Sequence, residues 1–438
     1  MEPLNLLPSF GGFLWTLGAF VVAISIIVAV HEYGHYIVGR WTGIKAEVFS
    51  LGMGPVMWSR MDRHGTRWQV AALPVGGYVK FLGDANAASV GHVEVEEDRK
   101  RMTMLGAPLW ARAATVAAGP VFNFIFSILL FMAIFLGQGR PVDPLTVAGI
   151  VELPPTYESG LQPGDEILEI GGQGMETGLP TDLPLTATHD YVVRRDGVEM
   201  TVSGPHPLPS RIGTVTPRSA AMDAGLKSGD TVTAIGGETV VAFEQLFDAV
   251  GASDGQPMDL TIWREGETLE FTVTPRMSDL PSSEGGFETR WLLGASADLS
   301  LVLETERLGP WESFTGGMRQ TWFIVTSSLS GLWHMITGAI STCNLSSPVG
   351  IAETSGAMAS EGGTSFLWFV AVISTAVGLL NLFPIPVLDG GHLVFHAFEA
   401  VTGRPPSDRA LRWLMAAGLS AVLTLMLFAL ANDLFLCP

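Results

Sequence analysis

Between Glu2 and His31 the chain has no Asp, Glu, Lys or Arg, and the same is true of Ala113–Gly139, Gly362–Leu388 and Trp413–Asn432. A helix needs about 20 apolar residues to cross about 30 Å of hydrocarbon, so each stretch predicts a transmembrane helix. No Lys or Arg precedes the first stretch and no small-residue cleavage site follows it, which predicts a retained helix rather than a signal peptide. A fifth uncharged run, Thr321–Ala352, is broken by Ser, Thr, Gly and His334. Its apolar residues (Trp322, Phe323, Leu329, Leu332, Trp333, Ile336) recur on one side, which predicts an amphipathic helical region over 305–352 lying at the membrane interface.

Charge orients these elements. Residues 40–112 carry ten Lys/Arg against seven Asp/Glu, and residues 141–310 carry nine against twenty-seven. Basic flanks stay in the cytoplasm. The first block is therefore expected inside and the second outside, with both termini outside. Only 15% of the 438 residues are charged, against about 25% in soluble domains. The net charge of −19 excludes a nucleic-acid partner. The two cysteines, Cys343 and Cys437, cannot make a disulfide framework or a cysteine zinc site; two free buried thiols are expected rather than one bridge.

The outer block repeats itself. Ser159-Gly160-Leu161-Gln162-Pro163-Gly164-Asp165 followed by Glu166–Gly172 returns as Ala224-Gly225-Leu226-Lys227-Ser228-Gly229-Asp230 followed by Thr231–Gly237. Each copy continues to a turn, Arg195-Asp196-Gly197 or Arg264-Glu265-Gly266, and an alternating strand. Turn, buried strand, turn is the reading. The copies resemble PDZ domains of the bacterial protease-associated type, over 141–210 and 211–278. In the second, Phe243–Val250 has apolar residues at helical spacing and would border a groove that binds a peptide or protein C-terminus by strand addition. In the first, Pro180 and Pro184 discourage that helix. A spacer role without ligand is the other reading of both.

The chemistry begins at His31-Glu32-Tyr33-Gly34-His35, which closes the first membrane run. On a helix His31 and His35 share a face and can ligate one metal, with Glu32 beside them. The bland alternative is a polar helix end meeting lipid headgroups. Catalytic zinc takes three protein ligands, so a third is needed from another helix at the same depth. Asp389 is the first charge after the third run. With four crossings, His35 and Asp389 both face the cytoplasmic side; with five they would be separated. His392 and His396 also lie four apart, but without a following Glu they are expected to cap or hydrogen-bond. His64, His92, His189 and His206 are expected in loops without a ligand partner. No serine sits in a nucleophile-elbow setting.

With Asn381-Leu382-Phe383-Pro384-Ile385-Pro386-Val387-Leu388-Asp389-Gly390 added to the first motif, the chain resembles the intramembrane site-2 protease family. The tandem insert points to its bacterial regulator of sigma-E protease type. Leu73–Lys80, Gly119–Phe124 and Ser347–Ile351 extend the resemblance along nearly the whole chain. It implies a multi-pass α-helical membrane protein of four transmembrane helices, with two β-rich PDZ domains between helices two and three. The expected segments are a first helix within 1–38, a cytoplasmic segment 39–107, a second helix 108–138, a third 362–391 and a fourth 410–433. It implies Zn2+ held by His31, His35 and Asp389, with Glu32 as general base. It implies substrate contacts from Asn381, Pro384 and Pro386, and from a re-entrant β element at Gly76, Gly77 and Tyr78. Asn123 would bond across helices or to substrate. The implied partners are the lipid bilayer and single-pass membrane proteins, anti-sigma-factor-like chains already trimmed outside or remnant signal peptides. A membrane-bound PDZ scaffold with a vestigial metal site is the reading from another class; it has no need for all of His31, Glu32, His35 and Asp389. A transporter fits less well, because no inverted repeat is present.

Overall fold

The computed structural model describes residues 10–84, 95–175, 178–180, 182–281 and 287–436. His92 and Cys437 lie outside them. In chain order the helices are α1 (Phe10–Trp41), α2 (Leu109–Gln138), α3 (Ala220–Asp223), α4 (Phe243–Ala252), α5 (Pro310–Ile336), α6 (Pro348–Glu361), α7 (Gly363–Asn381), α8 (Asp389–Thr402) and α9 (Asp408–Ala431). Four helical segments are long and apolar enough to cross a membrane: Gly12–Trp41, Leu109–Gln138, Gly363–Asn381 and Arg409–Phe435. The chain is thus a multi-pass α-helical membrane protein with a β-rich region between its second and third long helices. It divides into two compact units, one of Met1–Phe135, Gly309–Trp333 and Thr342–Pro438, the other of Leu136–Leu308 and His334–Ser341.

In the first unit small residues let helices approach closely, as lipid-embedded packing requires. Ala111, Thr115, Gly119, Asn123 and Ser127 recur every four residues along α2, and all are buried. A Cβ at Gly34 would lie 2.5 Å from the Ala118 carbonyl oxygen, so α1 meets α2 backbone to backbone. The Ser127 hydroxyl donates to the Ala371 carbonyl at 2.7 Å, and the Ser374 hydroxyl to that of Asn123 at 3.0 Å, tying α2 to α7. Helix α5 does not run to 352; it buries Ser313, Gly317 and Thr321 and exposes Trp311, Trp322, Phe323 and Trp333. Its Gly317 fits against the Ile128 carbonyl, where a Cβ would come within 2.6 Å. Cys343 is disulfide-bonded, which corrects the expected pair of free thiols.

Between α1 and α2 lie two long paired strands, β1 (Ala46–Met61) and β2 (Arg67–Phe81). The pairing is folded over on itself. Val48–Leu51 lies between Gly77–Lys80 on one side and Arg67–Val70 on the other, while Val56–Met61 pairs with Arg67–Ala71. The result is four rungs with Gly77–Phe81 at one edge. Phe49, Trp68 and Tyr36 pack as a ring cluster, with centroids 4.3–5.9 Å apart, and fasten this sheet to α1.

The second unit holds two sheets of the same strand order. One runs 173–174, 166–170, 188–195, 198–205, and the other 238–239, 231–235, 258–264, 267–273. The repeated Gly-Asp and Arg-x-Gly elements meet in both. Arg195 clamps the buried Asp165 at 2.6 and 2.7 Å, and Arg264 clamps Asp230 at the same distances. Arg195 and Arg264 each also donate to a glycine carbonyl, of Gly160 or Gly225, at 3.0 Å. A carboxylate buried in a sheet needs such a partner. Between the first two long strands of the second sheet lies α4, with Leu246 and Val250 in the core; no helix occurs among the described residues at the matching place in the first copy, between 171 and 187.

His189 is not in a loop. Strand alternation turns His189, Tyr191 and Val193 inward together, and the His189 ring meets that of His206 edge-to-face at 5.0 Å. Burial, then the neighbouring His189, pushes the His206 imidazole down to about 4; burial lowers His189 as well. The fold therefore holds His206 neutral, while the unfolded chain takes up a proton below about pH 6.5. Stability of this β sheet should fall as pH drops from about 6.5 to 4. Protection factors of amides in residues 188–206 of the intact protein, taken relative to intrinsic exchange at each pH, should fall over that window. His206→Gln should remove most of the pH dependence; an unchanged slope in that variant would contradict this origin.

Candidate metal centre

His31 and His35 stand one turn apart in the second half of α1, after a run from Phe10 to Val30 that carries no charge. Their Nε2 atoms lie 3.1 Å from each other. The other ring nitrogens face α2: His35 Nδ1 is 2.8 Å from the Thr115 carbonyl oxygen, and His31 Nδ1 is 3.2 Å from Asn123 Nδ2. A carbonyl only accepts, so His35 carries its proton on Nδ1 and presents a lone pair at Nε2. Gly119 lies between these two contacts. A Cβ there would stand 2.4 Å from His35 Nε2 and 2.8 Å from His31 Cε1, so only glycine leaves the imidazoles their space.

Asp389 arrives from a different element. Helix α7 ends at Asn381 rather than continuing to 391, because Pro384 and Pro386 lack the N–H that helix continuation needs. The chain then folds back on itself. A Cβ at Gly390 would meet the Leu382 and Phe383 carbonyl oxygens at 2.3 Å, and one at Gly391 that of Ile385 at 2.3 Å. This tight reversal makes Asp389 the first residue of α8, with its carboxylate Oδ2 3.2 Å from His31 Nε2 and 3.5 Å from His35 Nε2. That oxygen is buried and has no hydrogen-bond partner.

The three donor atoms fit zinc. Tetrahedral ligands at about 2.0–2.1 Å from the metal stand about 3.3–3.4 Å apart, and the observed separations are 3.1, 3.2 and 3.5 Å. Two neutral-nitrogen donors and one carboxylate, with an orphaned oxygen aimed between them, form a zinc-type set. Among the described residues this is the one group of three or more His, Cys, Asp or Glu side chains close enough to share an ion.

Glu32 lines the same cavity of about 390 Å3, together with His31, His35, Asp389, Gly77, Tyr78 and Asn381. The sheet edge reaches it directly. A Cβ at Gly77 would be 2.8 Å from the Ser50 carbonyl oxygen and 3.1 Å from Glu32 Cγ, so glycine is required there for close approach. Tyr78 is held by Gln69, whose Nε2 donates to its hydroxyl at 3.1 Å. Asn381 donates within its own helix to the Val377 carbonyl at 3.0 Å. Gly76, Pro384 and Pro386 do not line the cavity; the prolines shape the loop that delivers Asp389. Asn123 is fully buried behind His31, placed across helices rather than in the cavity. His392 and His396 line the cavity outside the ligand group. Thr115 carries part of the site and stood in no motif, while Gly119 and Gly390 stood in matching stretches without a role assigned to them. The signal available for Thr115 and Gly119 was the four-residue recurrence of small residues along α2.

Fold and site together define a multi-pass membrane metallohydrolase. Residues 19–425 match the profile of Peptidase family M50. The chain is 35% identical over 422 residues to a protein of Agrobacterium fabrum named "Putative zinc metalloprotease", covering 95% of this chain and 94% of that one. It is 32% identical over 452 residues to the regulator of sigma-E protease RseP of Salmonella typhimurium, covering 96% and 98%. It is also 32% identical over 455 residues to the regulator of sigma E protease of Haemophilus influenzae, covering 96% and 99%. The chain belongs to peptidase family M50 and is an intramembrane zinc metalloprotease.

Gly119→Ala should place a methyl group against both imidazoles and weaken zinc binding by about tenfold or more. Zinc retained after dialysis against a chelator measures this; parent-like retention would contradict the cradle.

Proposed function

We propose that this protease cuts single-pass membrane proteins within or near their membrane segment, acting on chains already trimmed outside, such as anti-sigma-factor-like proteins in envelope stress signalling, and on remnant signal peptides. The observation that carries this is an edge strand, Gly77–Phe81, which pairs with Ala46–Leu51 on one side and lies against Glu32 beside the three donor atoms. A peptide bond inside a helix is shielded, and once unwound in lipid its bare backbone must find partners. Strand addition to that edge supplies them and presents an extended chain to the site.

In this reading His31, His35 and Asp389 hold the metal. Zinc bound there supplies a Lewis acid that polarises the carbonyl and brings the pKa of water toward 7. Glu32 accepts the proton as water oxygen attacks the carbonyl carbon, and returns it to the leaving amine as the C–N bond breaks. The sheet edge at Gly77–Val79 lines the cavity beside Glu32 and would orient its carboxylate. Asn381, Gly76, Gly77 and Tyr78 contact the substrate, and Pro384 and Pro386 act by shaping the loop.

The charge asymmetry supports a β-rich unit in the periplasm and a metal centre toward the cytoplasmic face of the bacterial inner membrane. The disulfide at Cys343 supports that side for its segment, since disulfides persist in oxidising compartments. The two β sheets are read as PDZ domains that filter substrates by size or bind a newly exposed C-terminus. The groove beside α4, about 360 Å3 and lined by Phe243, Leu246, Phe247 and Val250, suits the second role.

Purified protein and its Glu32→Gln variant, incubated in detergent with a short single-pass model substrate, test the mechanism. The parent should cleave, the variant should be at least about 1000-fold slower, and both should hold equal zinc. Cleavage by the variant at the parent's rate would overturn the role of Glu32.

A further inference from the structure

Asn123 stands where the hydrogen bonding around the imidazoles does not close. Its side chain is fully buried, Nδ2 lies 3.2 Å from His31 Nδ1, and its Oδ1 has no partner. The nitrogen and oxygen of an amide are told apart by their network, not by their shape. The two orientations here have opposite chemical consequences. With Nδ2 toward the ring, Nδ1 must be the acceptor. The proton of neutral His31 then sits on Nε2, the atom facing His35 and Asp389, and that nitrogen cannot ligate. With the amide turned over, Oδ1 accepts the Nδ1 proton and gains the partner it lacks, and Nε2 presents its lone pair.

His35 already follows the second pattern through the Thr115 carbonyl. Thr115 and Asn123 are eight residues apart on one face of α2, with Gly119 midway, and they meet His35 and His31 in turn. Resting on the zinc reading above, we propose that Asn123 is a positioning residue for the metal. Its Oδ1 accepts from His31 Nδ1–H and fixes the ring in the tautomer and orientation that ligates, so that α2 serves both histidines as an orienting template. An amide suits this place better than the carboxylate common behind metal-bound histidines. It accepts without adding a further anion to a buried site that already holds Glu32 and Asp389.

The test is zinc affinity, measured by competition with a chelator on full-length protein carrying Glu32→Gln, so that no proteolysis enters the readout. Asn123→Leu has similar bulk and no acceptor, and should raise the zinc Kd by about 10–100-fold. Its metal-free melting temperature should stay near that of the parent. Asn123→Asp keeps the acceptor and should bind zinc within a few-fold of the parent, or more tightly. Parent-like affinity in Asn123→Leu would overturn the proposal, and so would equal weakening by both substitutions. Should Asn123→Leu not fold, Asn123→Ala replaces it with the same expectation. Failure of the unsubstituted protein to cleave would count against the protease reading and leave this comparison standing.

Discussion

The structure depends on one constraint: polar groups placed in a membrane helix must be given partners within the protein. His31, Glu32 and His35 follow a long uncharged run in a membrane helix, where lipid offers no hydrogen bonds. Neighbouring elements meet all three. Helix α2 answers the outer ring nitrogens, the start of α8 brings a carboxylate to the inner ones, and the edge of the β1–β2 sheet reaches Glu32. Three elements distant in sequence converge because the alternative is an unpaired charge in hydrocarbon.

The same constraint accounts for the glycines. Gly34, Gly77, Gly119 and Gly390 each stand where a methyl group would collide with backbone or with a ligating ring. They lie on four different elements around one site. Close packing of small residues is the main source of helix association in lipid, and here it also sets the depth at which donor atoms meet.

Much of this was legible in the residue order. Uncharged runs located four long helices, and the His31–His35 spacing with Asp389 at the end of a later run located the three donors. The duplicated Gly-Asp and Arg-x-Gly elements indicated two like β modules, and the structure adds that the duplicated Asp and Arg pair with each other. What was not legible depended on partners remote in sequence. Thr115 and Gly119 look like ordinary small helix residues until α1 is packed against them. The sheet of 46–81 was visible only at Gly76–Val79, since its doubled-over pairing mixes apolar and polar residues on both faces and hides the period of two. His189 read as a loop residue because its inward turn is fixed by Tyr191 and Val193 beside it. The bond at Cys343 depends on tertiary proximity, which spacing along the chain does not encode.

Zinc K-edge X-ray absorption on the purified, zinc-loaded protein and on His35→Ala tests the central claim most directly. The account predicts nitrogen and oxygen donors at about 2.0–2.1 Å, with the outer-shell signature of two imidazoles in the parent and one in the variant. A sulfur donor, or an imidazole count unchanged by His35→Ala, would contradict it.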